Sequence, residues 1–218
     1  MLVAAQIALA LVALAGSGLL LRSFQQLHAI LPGWNAKHVE TFWLSLPRAR
    51  YPDDSAVTRF YAQLTGRVAT LPGVRAVGLS SRLPLEVHGQ NTSPIWVEGD
   101  PSAASKIPPL QIFMTTDGGY FRAMNIPLLA GRTFSPLDQR QSGHDAIVNN
   151  VTAQHFWHDS TGRAALGKRF QTLPNGPWHT VVGVVRGVRD SSLQAPPAPT
   201  VYFPEVPTND SSPASSVT

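Results

Sequence analysis

The chain has 218 residues, a formal charge of +4 from 17 Lys+Arg against 13 Asp+Glu, and only 14% charged residues, where soluble domains carry about 25%. That length allows one sizeable core, or two small subdomains, plus an extra segment; the 43% hydrophobic content, unevenly spread and without a Gly-x-y or heptad repeat, excludes collagen-like, coiled-coil and wholly disordered chains. The lack of cysteine removes disulfide frameworks, thiolate zinc sites and cysteine nucleophiles, and the 14 Arg and 3 Lys (Lys37, Lys106, Lys168) lie scattered rather than in a run that would track a phosphate backbone, which speaks against nucleic acid as a partner.

From Met1 to Leu21 no side chain is charged, and Gln6 is the one strongly polar residue. About 20 apolar residues cross a ~30 Å hydrocarbon core as a helix, so the pattern predicts a membrane span over residues 1–22. A cleaved signal peptide calls for a basic n-region and an apolar run of ~7–15 residues; here the n-region is missing and the run is longer, which favours a retained span. Ala4/Ala8 and Ala13/Ser17 place small residues where another helix could approach, although Ala is also simply a good helix former. Charge does not set the orientation: nothing basic precedes the run, and Arg22 taken alone points opposite to the orientation adopted below. The abrupt start at the membrane is what a fragment, or a protein with a short N-terminus, would show. Phe24, Leu27, Ile30 and Leu31 continue the helical period until Pro32-Gly33, predicting a stalk and linker over 23–35.

Residues 39–46 (VETFWLSL) read as a strand closed by Pro47 and Tyr51-Pro52. Asp53, Asp54 and Ser55 are N-cap candidates for a helix over about 55–70, whose Val57, Phe60, Tyr61, Leu64 and Val68 recur at three- and four-residue steps. Leu71-Pro72-Gly73 stops it, and 74–80 (VRAVGLS) reads as a second strand, giving a β-α-β unit with a right-handed crossover if the strands are parallel neighbours. From about Leu83 to Leu173, Pro-, Gly- and Ser-rich connections separate short β-like runs at 94–98 and 109–115. A short helix is expected over 120–124, a turn into an edge at 131–134, and a strand at 146–149 feeding a helix over 151–157. Residues 178–189 pattern as a central strand in which Gly183 and Gly187 mark bulges or close backbone approach. A Pro-rich stretch then leads to Val201-Tyr202-Phe203, and the tail beyond Pro204 has almost nothing to bury, so it is expected to be loose.

Chemistry-bearing motifs are sparse. Gly162 to Lys168 matches G-x-x-x-x-G-K, but Arg169 stands where a hydroxyl must hold Mg²⁺, and a helix-like run precedes it where a strand is needed. His155-x-x-His158-Asp159 carries metal-ligand residue types at i, i+3 without a third convergent ligand; polar residues solvated at a helix C-terminus are the simpler reading. Asp100, Asp117 and Asp138 sit beside Gly or in turns, where carboxylates cap or bend the chain. No G-x-S-x-G or paired carboxylates stand out, and the Asn-x-Ser/Thr triplets at Asn91, Asn150 and Asn209 are short enough to arise by chance. No catalytic, cofactor-binding or metal residue is therefore nominated, and no cofactor. Of the five Trp, Trp34 is the candidate for a membrane-interface anchor.

Read in order, an apolar helix ending LLLRSF, then LPGW, FWLSLPRARY, LPGVRAVGLSSRLPL, GGYFRAMNIPLLAGRTF, AIVNNVTAQHFW, LGKRF, PWHTVVGVVRGVR and VYFP resemble the MacB-like periplasmic core domain of ABC-transporter permeases, in the style of the duplicated FtsX-like group. The resemblance covers about Leu2 to Pro204. It implies an α+β fold with an N-terminal transmembrane helix and a periplasmic unit of two parts: a porter-like β-α-β subdomain (36–82 plus 176–218, incomplete) and an inserted mixed subdomain (83–175). It further implies continuation into three more spans, so that the chain is a fragment. The implied role is non-catalytic. A cytoplasmic ABC ATPase subunit would drive motion through the bacterial inner membrane to the periplasmic domain, for export or mechanotransmission, with membrane lipid and other permease spans or a second permease half as partners. Two rivals remain at this point: an anchored binding module with a concave pocket lined by Trp96 or Trp178, and an anchored metal-dependent hydrolase using His155 and His158.

Overall fold

The computed structural model describes residues 2–29, 32–35, 37–47, 49–86, 90–100, 108–140 and 144–204. The expected loose tail therefore lies outside the described residues, as do Ile30 and Leu31 within the expected stalk.

A 28-residue helix, α1 (Leu2–Ala29), opens the chain. Its stretch Leu2–Gln25 is long and apolar enough to cross a membrane, and none of it is buried among the described residues. A second helix, α2 (Asp54–Ala69), starts where Asp53 accepts the Ala56 N–H at 2.7 Å, the N-cap geometry that satisfies an otherwise orphaned first-turn donor.

The α+β head is built on one eight-stranded sheet. In chain order its elements are β1 (Asn91–Pro94), β2 (Trp96–Val97), β3 (Leu110–Thr116), α3 (Gly118–Ala123), β4 (Leu128–Gly131), α4 (Pro136–Arg140), β5 (Asp145–Asn149), α5 (Asn150–Trp157), β6 (Arg169–Gln171), β7 (Trp178–Val185) and β8 (Thr200–Pro204). Strand order is β1-β3-β8-β5-β7-β6-β2, with β4 pairing β7 beyond β6. β3 with β8 and β5 with β7 are parallel; the other pairs are antiparallel. Ile95 alone separates β1 from β2, yet these stand at opposite ends of the order. The sheet must therefore curl until residues 91–97 act as one strand that pairs with β3 along its first half and with β6 along its second.

Side chains alternate between two apolar layers, as a pleated strand requires. Ile112, Met114, Ile147, Val185 and Tyr202 face α3, where they meet Tyr120, Phe121 and Met124. Ile95, Val148, Phe170, Val181, Val184 and Val201 form the other layer with Ala153 of α5. Gly183 sits at a register shift between β5 and β7, and a Cβ there would collide with the Arg132 carbonyl, so the expected close backbone approach is real.

Two expected strands are not formed. Residues 39–46 are irregular, with Phe42, Trp43 and Leu44 exposed, and 74–80 contributes one bridge, Ser80 to Thr116. An alternating or apolar run becomes a strand only when a neighbour takes up its N–H and C=O groups. No described strand lies along 39–46, and 74–80 meets a strand, β3, only at its last residue, so α2 is the one regular element of the expected β-α-β unit.

Candidate functional site

Where the chain leaves α1, Pro32 to Asn35 dock onto the head as a seam. The Pro32 carbonyl accepts the Arg189 N–H at 2.8 Å, and the Asn35 N–H donates to the Met124 carbonyl at 3.0 Å. Gly33 has φ +87°, a left-handed conformation that only glycine adopts freely. A Cβ there would stand 2.7 Å from the Gly187 carbonyl oxygen. Trp34 and Val39 then pack against the core layer that contains Tyr120 and Val188. The seam thus touches both α3's end and the segment that follows β7. Trp34, expected as a membrane-interface anchor, is instead half buried on the head, because the Pro-Gly turn folds it back there.

Beside the seam lies a buried ion pair. Arg82 Nη2 donates to Asp190 Oδ2, and the two side chains are 3% and 2% exposed. The Leu85 N–H donates to the Asp190 carbonyl at 2.7 Å, so the 80–86 arm is tied to the exit of β7 by side chain and backbone together. Burial pushes the Asp190 carboxyl up, against the pull of the Arg82 guanidinium. Nothing in sequence marks this pair, since 108 positions separate its members.

The turn carboxylates do cap. Asp117 accepts from the Tyr120 N–H at 2.8 Å and the Leu79 N–H at 3.0 Å, while burial raises its pKa despite these bonds. Asp138 accepts from Arg132 and from the Ser135 N–H; burial pushes its carboxyl up, but these donors outweigh it and bring the pKa to about 2.

His155, His158 and Asp159, the residues of metal-ligand type weighed above, each have another local role. His158 is the left-handed C-cap of α5, with φ 54°, and the His155 ring stands edge-on to Phe156. Asp159 accepts from the Ala164 N–H at 2.8 Å and from both the N–H and hydroxyl of Thr161. Among the described residues no three His, Cys, Asp or Glu side chains converge. Residues 162–168 form a turn that runs into β6, with no helix after it, so its N–H groups are not arrayed as a phosphate cradle. An open groove of about 570 Å³ is lined by Leu128, Leu129, Ala130, Gly131, Arg163 and Leu166, and by neither Trp96 nor Trp178.

Residues 2–217 match the family model of the MacB-like periplasmic core domain. No curated protein gives a significant match. Similar solved structures include the periplasmic region of MacB from Actinobacillus actinomycetemcomitans, 17% identical, with 66% of this chain and 54% of that one aligned at a TM-score of 0.43. Another is the extracellular domain of the noncanonic ABC-type transporter YknZ from Gram-positive bacteria, 15% identical, with 65% and 60% aligned at a TM-score of 0.41. This chain thus spans a little over half the length of those chains.

Proposed function

Because the chain belongs to the family of MacB-like periplasmic core domains of ABC-transporter permeases, we propose that it works by being displaced rather than by making or breaking bonds. In this reading α1 crosses the bacterial inner membrane once and the head lies in the periplasm. A cytoplasmic ABC ATPase subunit moves the membrane helices, and the head passes that motion on for export or mechanotransmission. The other partners are membrane lipid and further permease spans or a second permease half. The division into a porter-like part (36–82 plus 176–218) and an inserted part (83–175) belongs to the same proposal.

The observation that carries it is the seam. Backbone hydrogen bonds from Pro32 and Asn35 reach two separate parts of the head within four residues, and Gly33 packs backbone against backbone. A linker held at two points passes on rotation as well as translation, whereas one held at a single point would swivel.

The chain contains no cysteine, which makes single-cysteine labelling clean. With Leu2→Cys and Ser160→Cys in cells whose outer membrane alone is opened, a membrane-impermeant maleimide should label the Ser160 position and spare the Leu2 position. The reverse pattern would overturn the topology. Spin labels at Arg22→Cys and Ser160→Cys, in the chain reconstituted with its ATPase, should keep one mutual distance while the head shifts relative to the bilayer on ATP binding. A head that stays put under ATP would defeat the transmission reading. Limited proteolysis checks the division: cuts near 83 and 175 that leave two separately folded pieces support it, and pieces that unfold on cutting reject it.

A further inference from the structure

Besides Trp34 Nε1 in the seam itself, five polar atoms on four side chains end in the interior beside the seam without a partner among the described residues. They are Arg82 Nε and Nη1, Asp190 Oδ1, and the hydroxyl oxygens of Tyr120 and Tyr202. Each of the four residues is at most 3% exposed. The Arg82–Asp190 pair uses only one nitrogen and one oxygen for itself, Nη2 and Oδ2. The two tyrosines flank Phe121, both meeting it edge-on with ring centroids 5.5 and 5.2 Å away. Tyr120 and Tyr202 share one buried layer with Val188, two residues before Asp190. Ser81, next to Arg82, donates its N–H to the Thr115 carbonyl of β3, the strand that pairs with Tyr202's own. The four groups therefore share one locality, in which the ion pair acts on both phenols.

The donor and acceptor inventory restricts what can sit there. Arg82 offers only N–H donors, Asp190 Oδ1 only accepts, and a phenol does either. Burial, the largest cause, raises both phenol pKa values, so both hydroxyls keep their protons at neutral pH. The charges of Arg82 and Asp190 cancel within the pair; the two unmatched Arg82 donors disfavour a cation, and Glu86, whose charge acts on Asp190, disfavours an anion. A ligand must therefore be neutral, small enough for an enclosed site, and able to donate and accept at once. Water meets all three conditions, and buried water that makes two to four hydrogen bonds to otherwise unmatched groups is a regular part of protein interiors. Leaving five such atoms unmatched would be costly in a native core.

We infer that Arg82, Asp190, Tyr120 and Tyr202 enclose an internal water site, in which bound water joins the ion pair to the two phenol hydroxyls. The site lies where the 80–86 arm, the β7 exit and α3 meet, directly behind the seam that receives α1.

The sign of a conservative change tests it. In the full chain in detergent, Tyr120→Phe and Tyr202→Phe each delete one hydroxyl and little else. If that hydroxyl is bonded to site water, each variant should melt about 2–4 °C below the parent. The double variant should fall short of the sum, because both deletions empty the same site. If the hydroxyls have no partner, removing them relieves a desolvated group, and the variants should melt at or above the parent; that result would overturn the inference. A high-resolution structure of the unaltered chain gives a second readout that does not depend on variants folding. Water density within hydrogen-bond reach of at least two of the five atoms supports the site, and dry closure of the four side chains onto one another rejects it.

Discussion

At the scale of single residues, Gly33 and Asp138 are the positions whose local physics has the widest consequence. Gly33→Ala forces a Cβ into a left-handed backbone and towards the Gly187 carbonyl, and should cost about 1–3 kcal/mol, read as a lower urea midpoint. Because the strain falls on the seam, the same variant should loosen the head's coupling to α1 in the spin-label experiment. Asp138 carries a pH signature. Its folded pKa is about 2, against about 3.9 in the unfolded chain. The Arg132 and Ser135 contacts therefore stabilise the head above pH ~4, and that contribution disappears as pH falls from about 4 to about 2. With Arg132 half exposed, screening keeps it on the order of 1–2 kcal/mol. Urea unfolding at pH 5 and pH 2.5 should show this component in the parent, and Asp138→Asn should lack it. Asp117 and Asp138 were legible as turn formers because each has a partner within three or six positions, although the Leu79 N–H that Asp117 also accepts lies 38 positions away. The Arg82–Asp190 pair was not, since only the folded sheet brings it together.

Among the elements, α2 shows what sequence pattern captures well. Its cap, apolar spacing and stop signal are all local, and the helix runs from Asp54 to Ala69 as the spacing required. Asp53→Ala should cost about 1 kcal/mol through the orphaned Ala56 N–H, measurable as a lower melting temperature of the full chain. None of the described α2 side chains is fully buried; Phe60 meets Tyr51, just before the helix, edge-on with ring centroids 5.2 Å apart. Amides of α2 should therefore exchange with deuterium faster than those of β5 and β7, whose Ile147, Val148, Val184 and Val185 are wholly buried. The runs at 39–46 and 74–80 show the limit of the same method: composition reveals the capacity to form a strand but not the presence of a neighbour. Likewise 94–98 read as one β run, and nothing in the pattern revealed that its two halves would serve different neighbours.

For the whole molecule, the feature with the clearest test is the independence of α1 from the head. No residue of Leu2–Gln25 is buried against the other described residues, while both core layers are made from residues of the head and the seam. Removing residues 2–25 should leave a water-soluble head whose melting temperature is within a few degrees of the full chain in detergent. A head that fails to fold would show that α1 stabilises it by contacts other than those described. The membrane-type helix was readable from composition and periodicity, because it depends on which residues are apolar and how often they recur, whereas the α+β class of the whole was what the resemblance implied. The curled sheet was not, because closure is a property of the complete set of pairings.

Residues 91–97 sew the two margins of the sheet together, so their count is fixed from both sides. One residue inserted at Ile95 would keep one half in register and turn every side chain of the other half inside out, putting Val97 towards water. Length variation among natural versions of this head should thus be forbidden inside that stitch and permitted immediately after it, where Gly99 turns the chain with open space around it.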